Sequence, residues 1–152
     1  MTENSIAHAI ATNGAHRWHY RKMMVVRNVS WGLNFLYELD VLAVSKTGCA
    51  HEIEIKTTRS DLLRDSKKGH NHDSKRTKYL WFAGPMEMRD SFTEILEPGT
   101  GIILVNEAAT NTRNGLEIVR NAKPRPGTRA FTADEICDLG RLGTMRYWCR
   151  KG

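Results

Sequence analysis

The chain has 152 residues, 40% apolar and 26% charged, with a net charge of +6 and a pI near 9.4. That length suits one domain, residues 1–152, with a core of its own; no apolar run approaches the roughly 20 residues of a membrane span, and no signal-peptide pattern opens the chain. Cys49, Cys137 and Cys149 form no CxxC pair, and an odd count fits free thiols in a reducing cytoplasm better than a disulfide framework. A cytoplasmic protein with no membrane partner is therefore expected.

The charge is unevenly spread. Residues 56–78 hold eight Lys/Arg against three Asp/Glu, residues 120–151 hold another eight against three, and residues 17–27 hold four with no acid. An acidic interval around Asp40 and Glu54 lies between these basic blocks. Basic margins around an acidic centre suit a polyanion held near a metal; the competing reading is that Lys and Arg simply solvate helix faces.

In chain order, Ile6 and Ile10 sit one turn apart in a short helix within residues 1–12, which Asn13-Gly14 ends. Trp18 and Tyr20 lie among Arg17, His19 and Arg21; such a cluster can stack on bases but more often packs on a core. A strand is expected over residues 23–29, then a loop through Trp31 to Asn34. Residues 37–45 (YELDVLAVS) and 51–56 (HEIEIK) are strand-like. In the second, Ile53 and Ile55 point one way while Glu52, Glu54 and Lys56 point the other.

Lys46-Thr47-Gly48 between them suits a hairpin loop made of a type I turn and a glycine in the left-handed region. Asn tolerates that region, so Gly48→Asn is expected to be much milder than Gly48→Val. If Ser45 pairs with Cys49, paired numbers sum to 94, so Asp40 faces Glu54 and Glu38 faces Lys56. Directly opposed like charges destabilise a sheet. Lys56 supplies only one charge, so a divalent cation with oxygen ligands is the natural completion. A register slip of one residue would turn Asp40 away.

Thr58 with Asp61 three residues on has capping-box spacing and opens a helix running to about Lys68. Residues 69–78 (GHNHDSKRTK) are polar and basic. Tyr79 to Ala83 is a third apolar strand, closed by Gly84-Pro85. A short helix is expected over residues 86–96, buried strands over 101–106 and 116–120, and a last helix opened by Thr132 to Glu135. Cys49, His51, His70 and His72 do not have zinc-finger spacing; His70 and His72 read as solvated or phosphate-contacting. No G-x-G-x-x-G, P-loop or G-x-S-x-G occurs.

Asp40, then thirteen residues, then Glu54-Ile55-Lys56, across a hairpin and leading into a helix, resembles the PD-(D/E)XK nuclease superfamily. The order ELDVLAVSKTGCAHEIEIKTTRSDLLRDSKK, YLWFAGP, PGTGIILVN, LEIVR is similar to its MmcB-like branch of DNA-repair and phage-type proteins, over residues 25–120. Leu39 stands where the family usually has Pro, and Thr58 where Ser is more usual. Many members carry a carboxylate on the first helix; Glu3 is poorly placed for that role.

The resemblance implies an α/β fold with a central mixed sheet flanked by helices, a restriction-endonuclease-like core. It implies a DNA endonuclease hydrolysing phosphodiester bonds with Mg²⁺ or Mn²⁺, in repair, recombination or phage DNA processing. Asp40, Glu54 and the Ile55 carbonyl would hold the metal, with Lys56 as the third catalytic group and Glu38 and Glu52 beside it or at a second ion. Neighbouring carboxylates favour a charged Lys56, which then orients water and offsets charge rather than acting as a base. Thr58, Lys67, Lys68, His70, His72, Lys75 and Arg76 would grip DNA. The rival readings are a DNA-binding module of the same fold without activity, and an accessory protein whose basic surface serves solubility. Oligomeric state is left open, a homodimer included.

Overall fold

The structure, a computed structural model, describes residues 1–30, 33, 35, 37–66, 74–110 and 112–149. Among them, six strands form one mixed sheet in sequence order: β1 (Met24–Val29), β2 (Leu39–Val44), β3 (Ala50–Ile55), β4 (Tyr79–Pro85), β5 (Gly101–Val105) and β6 (Leu116–Arg120). β2 runs antiparallel to both its neighbours, β1 and β3; β3, β4 and β5 are parallel, and β6 returns antiparallel. The helices are α1 (Glu3–Thr12), α2 (Arg59–Ser66), α3 (Arg89–Ile95) and α4 (Ala133–Cys149). The crossovers through α2 and α3 each step to the next parallel strand, so both helices cover the same face. None of the described helices is long and apolar enough to cross a membrane.

α1 covers one face. Ile6 and Ile10 are fully buried against Val41, Ile53, Ile55, Trp81 and Ile103. On the other face α4 covers β1 and β2 through Leu139 and Leu142, while α2 and α3 cover β4 and β5 through Leu62 and Phe92. The even-numbered residues of β3 lie between these two apolar clusters. They form a polar stripe under a roof rather than the solvated face that their alternation suggests: Glu52 is 0%, Glu54 4% and Lys56 7% exposed.

The β2–β3 hairpin has the expected register, with Val41 opposite Ile53 and Val44 opposite Ala50. Gly48 N–H donates to the Ser45 carbonyl and Ser45 N–H to the Cys49 carbonyl, and Gly48 has φ +84°. Expected tolerance of Asn there does not survive the packing. A Cβ on residue 48 would lie 2.4 Å from the Phe131 carbonyl oxygen, so every side chain is excluded, whatever its preference for φ.

Helix ends follow their sequence signals. Thr132 Oγ1 accepts the Glu135 N–H while Glu135 accepts the Thr132 N–H, a reciprocal capping box for α4. α2 ends at Ser66 in the described chain. Gly84-Pro85 does not close β4 but belongs to it: Pro85, the last residue, pairs with Val105 on β5. A strand end tolerates the missing N–H.

Candidate functional site

Asp40 lies at the one place on β2 where pairing fails on both sides. Toward β1, regular partners resume on either side of residue 28, with Arg27 opposite Val41 and Val29 opposite Leu39. Asn28 itself, which would face Asp40, has φ +51°, in the left-handed region that Asn enters more readily than most residues with a Cβ. Toward β3, an uninterrupted antiparallel ladder would give the Ile55 N–H to the Leu39 carbonyl. Instead that N–H donates to Asp40 Oδ2 at 2.8 Å. The Asp40 carboxylate thus replaces a main-chain acceptor, and the half-buried side chain is fixed by the neighbouring strand.

Extended by one residue, the β2–β3 register sets Asp40 against Glu54 on the roofed face. Ile55 buries its side chain in the α1 core, so only its main chain is available to a site on the other face. Lys56, just past β3, is held by its N–H on the Ala83 carbonyl at 2.9 Å. A Cβ on Gly84 would sit 2.5 Å from the Lys56 carbonyl, so glycine there lets β4 pass close beneath this residue. The Lys56 ammonium lies 3.5 Å from Glu54 Oε2 and 3.7 Å from Asp65 Oδ1.

Burial disfavours the Lys56 charge, but Glu54, Asp65, Asp40 and Asp61 together outweigh it, and its pKa is raised above the ordinary lysine value. Lys56 is therefore an ammonium at neutral pH.

The expected partner of Lys56, Glu38, is exposed: β2 begins at Leu39, so the ladder stops short of residue 38, and α2 brings Asp65 over the lysine instead. Sequence reasoning overlooked Asp65. A charged residue on a short polar helix reads as solvated, although Asp65 is three residues from the buried Leu62 and so shares its inward face.

Glu52, two residues before Glu54 on the same face, anchors loops. The Tyr37 hydroxyl donates to it at 3.2 Å and the Thr77 hydroxyl at 3.0 Å, with the Arg125 guanidinium 3.7 Å away. Burial and the Glu52 charge push the Tyr37 hydroxyl far above the ordinary tyrosine range. On the opposite face His51 accepts the Trp81 indole N–H at 3.1 Å; burial, reinforced by Arg17, lowers its pKa to about 4.

Of the residues expected to grip DNA, Thr58, Lys75 and Arg76 are described. Lys67, Lys68, His70 and His72 lie outside the described residues. Lys75 is exposed. Thr58 is exposed too, but its hydroxyl accepts the Asp61 N–H at 3.2 Å and caps α2. Arg76 is committed to the fold rather than to a phosphate. Its guanidinium binds Glu135 at 2.8 Å, donates to the Leu33 carbonyl, and lies 4.3 Å over the Phe35 ring. Trp18 is buried edge-on against Trp81 at 4.8 Å, whereas Tyr20 is exposed. Glu3 is exposed in the first turn of α1, whose inward residues are apolar.

Among the described residues no three His, Cys, Asp or Glu side chains gather as a ready-made metal cluster. Asp40 and Glu54 bring two carboxylates to the roofed face. Those hard oxygens suit Mg²⁺, which takes one or two carboxylates and keeps several waters.

No protein-family model matches the chain, and no curated protein matches it. A solved structure of a protein of unknown function from Silicibacter pomeroyi shares the fold with a TM-score of 0.65, at 18% identity, over 99% of this chain and 89% of that one. At that identity the likeness concerns the fold alone.

Proposed function

We propose that this chain is a metal-dependent deoxyribonuclease of the PD-(D/E)XK type that hydrolyses phosphodiester bonds. The observation that carries the proposal is one polar group at the end of the β2–β3 hairpin: Lys56, an ammonium that Glu54 and Asp65 hold between them and on which Asp40 also acts, with the Asp40 carboxylate fixed on the Ile55 N–H. A bound Mg²⁺ or Mn²⁺ would lower the pKa of a water and offset charge on the phosphate.

The remaining work falls to the chain. Asp40 is presented by the Ile55 N–H, and Glu54 by β3. Lys56, being charged, has no lone pair with which to take a proton; it would orient the attacking water and stabilise the charge of the pentacoordinate transition state. Of the three side chains Asp40 is the most exposed, so the scissile phosphate approaches from its side. A net charge of +6 favours a polyanionic substrate.

The deep burial of Glu54 and Lys56 favours a second reading, a DNA-binding module in which the three residues serve only the fold. Incubation with single-stranded, duplex and branched DNA, in Mg²⁺, Mn²⁺ or EDTA, separates the two. Cleavage that EDTA abolishes supports the enzyme. Binding without cleavage in either metal supports the module.

A further inference from the structure

At the end of the sheet opposite Asp40, β1 begins at Met24 and β2 ends at Val44. Val44 is four residues along β2 from Asp40, about 13 Å at the rise of a strand. An open groove of about 270 Å³ lies there, under the first turn of α4. Met24, 37% exposed, and the half-buried Ile136 supply its apolar part, and Tyr20, Arg21, Lys22 and Lys46 stand on the rim. Among the described residues that line it, none is acidic.

The rim is built rather than merely charged. Tyr20 is 55% exposed, and its ring is backed by the His19 imidazole at 4.5 Å, which limits its rotation. The Arg21 guanidinium lies 5.7 Å from the Tyr20 ring centre. Lys22 is committed to the fold, its ammonium donating to the Gly14 and His16 carbonyls at 2.9 and 3.2 Å, so the cations left for a ligand are Arg21 and Lys46. Lys46 is exposed at the hairpin turn.

We infer that this groove is a binding site for single-stranded DNA, distinct from the catalytic end of the sheet. A single strand offers what the groove complements: base faces for the Tyr20 ring and the apolar part, and phosphates for Arg21 and Lys46. A duplex turns its base faces inward and would meet the apolar part with phosphate. The inference rests on the DNA-binding part of the proposed function and not on cleavage. It gives the nuclease a substrate class, DNA with a single-stranded stretch that is held at one end of the sheet and cut at the other.

The test is fluorescence anisotropy of labelled oligo(dT) and of a labelled blunt-ended duplex, in EDTA so that neither is cut, across a range of salt. Tyr20→Ala should weaken oligo(dT) binding about tenfold, as expected for loss of one stacked base, and leave the duplex within about twofold. Tyr20→Phe, which keeps the ring, should bind like wild type. Lys46→Glu should weaken oligo(dT) binding and flatten the slope of log affinity against log salt by about 0.7 for every phosphate no longer neutralised. Unchanged oligo(dT) affinity in Tyr20→Ala, or an equal loss on the duplex, overturns the site, as does a wild type that binds no oligo(dT). If Tyr20-dependent binding is found in a protein that cuts nothing in Mg²⁺ or Mn²⁺, the groove stands and the catalytic reading falls. If DNA is cut but Tyr20→Ala binds normally, the reverse holds.

Discussion

The Asp40 carboxylate accepts the Ile55 N–H at 2.8 Å, in the place where a strand carbonyl would ordinarily serve. One proposed metal ligand is thereby held by the main chain of another, and its structural and chemical roles can be separated by substitution. Asp40→Ala leaves a buried N–H without its acceptor and should cost about 1 kcal/mol or more of stability. Asp40→Asn keeps an acceptor oxygen and loses the charge. It should unfold near the wild-type midpoint in urea yet have no nuclease activity. If Asn and Ala destabilise equally, the Ile55 bond is not what holds Asp40.

Lys56 and Asp65 should behave as a unit. Asp65→Asn frees the ammonium to shift toward Glu54 and should lower kcat while leaving the KM for DNA nearly unchanged, with Asp65→Glu recovering part of the loss. In a Lys56→Met background the same Asp65→Asn change should have little further effect on kcat, because its route to the chemistry is gone. Additive losses in the double variant would show that Asp65 acts independently of Lys56.

Acid sensitivity should arise at Glu135. Its carboxylate accepts hydrogen bonds from Arg129 at 2.6 and 3.1 Å, from Arg76 at 2.8 Å and from the Thr132 N–H at 3.1 Å. These partners, Arg129 first, hold its pKa well below the ordinary glutamate value of 4.5. The unfolded chain therefore binds a proton that the folded chain does not, so the stabilisation is complete above about pH 4.5 and is lost as pH falls below it. Glu135→Gln should lower the urea midpoint at neutral pH and flatten the decline of that midpoint in acid. An unaltered acid slope would place the sensitivity elsewhere.

The hairpin was legible because its signals are local: strict alternation in residues 51–56, a glycine at the left-handed position, and a register that the loop length sets. The last helix was legible for the same reason, since Thr132 and Glu135 cap it reciprocally. Tertiary facts were not. Whether Glu52, Glu54 and Lys56 face water or a roof depends on α2 and α4 arriving from elsewhere in the chain. Arg76 carries the composition of a phosphate-binding residue, and only the fold shows it spent on Glu135 and Phe35. Asn28 gives no sign in sequence that its backbone is left-handed opposite Asp40. Gly48 marks both limits: its positive φ could be read from the turn, but the Phe131 carbonyl that excludes any side chain could not.

In the proposed site Asp40 and Glu54 hold one divalent ion at which DNA is cut. Cleavage of a labelled DNA containing single-stranded and duplex segments, measured against Mn²⁺ concentration for wild type and Glu54→Gln, decides whether they do. Wild type should cut with saturable metal dependence and stop in EDTA. Folded Glu54→Gln should lose at least about a hundredfold in rate at every Mn²⁺ concentration, a loss of roughly 2.7 kcal/mol in transition-state stabilisation. Cleavage by Glu54→Gln at the wild-type rate, or cleavage by wild type that persists in EDTA, would contradict the account.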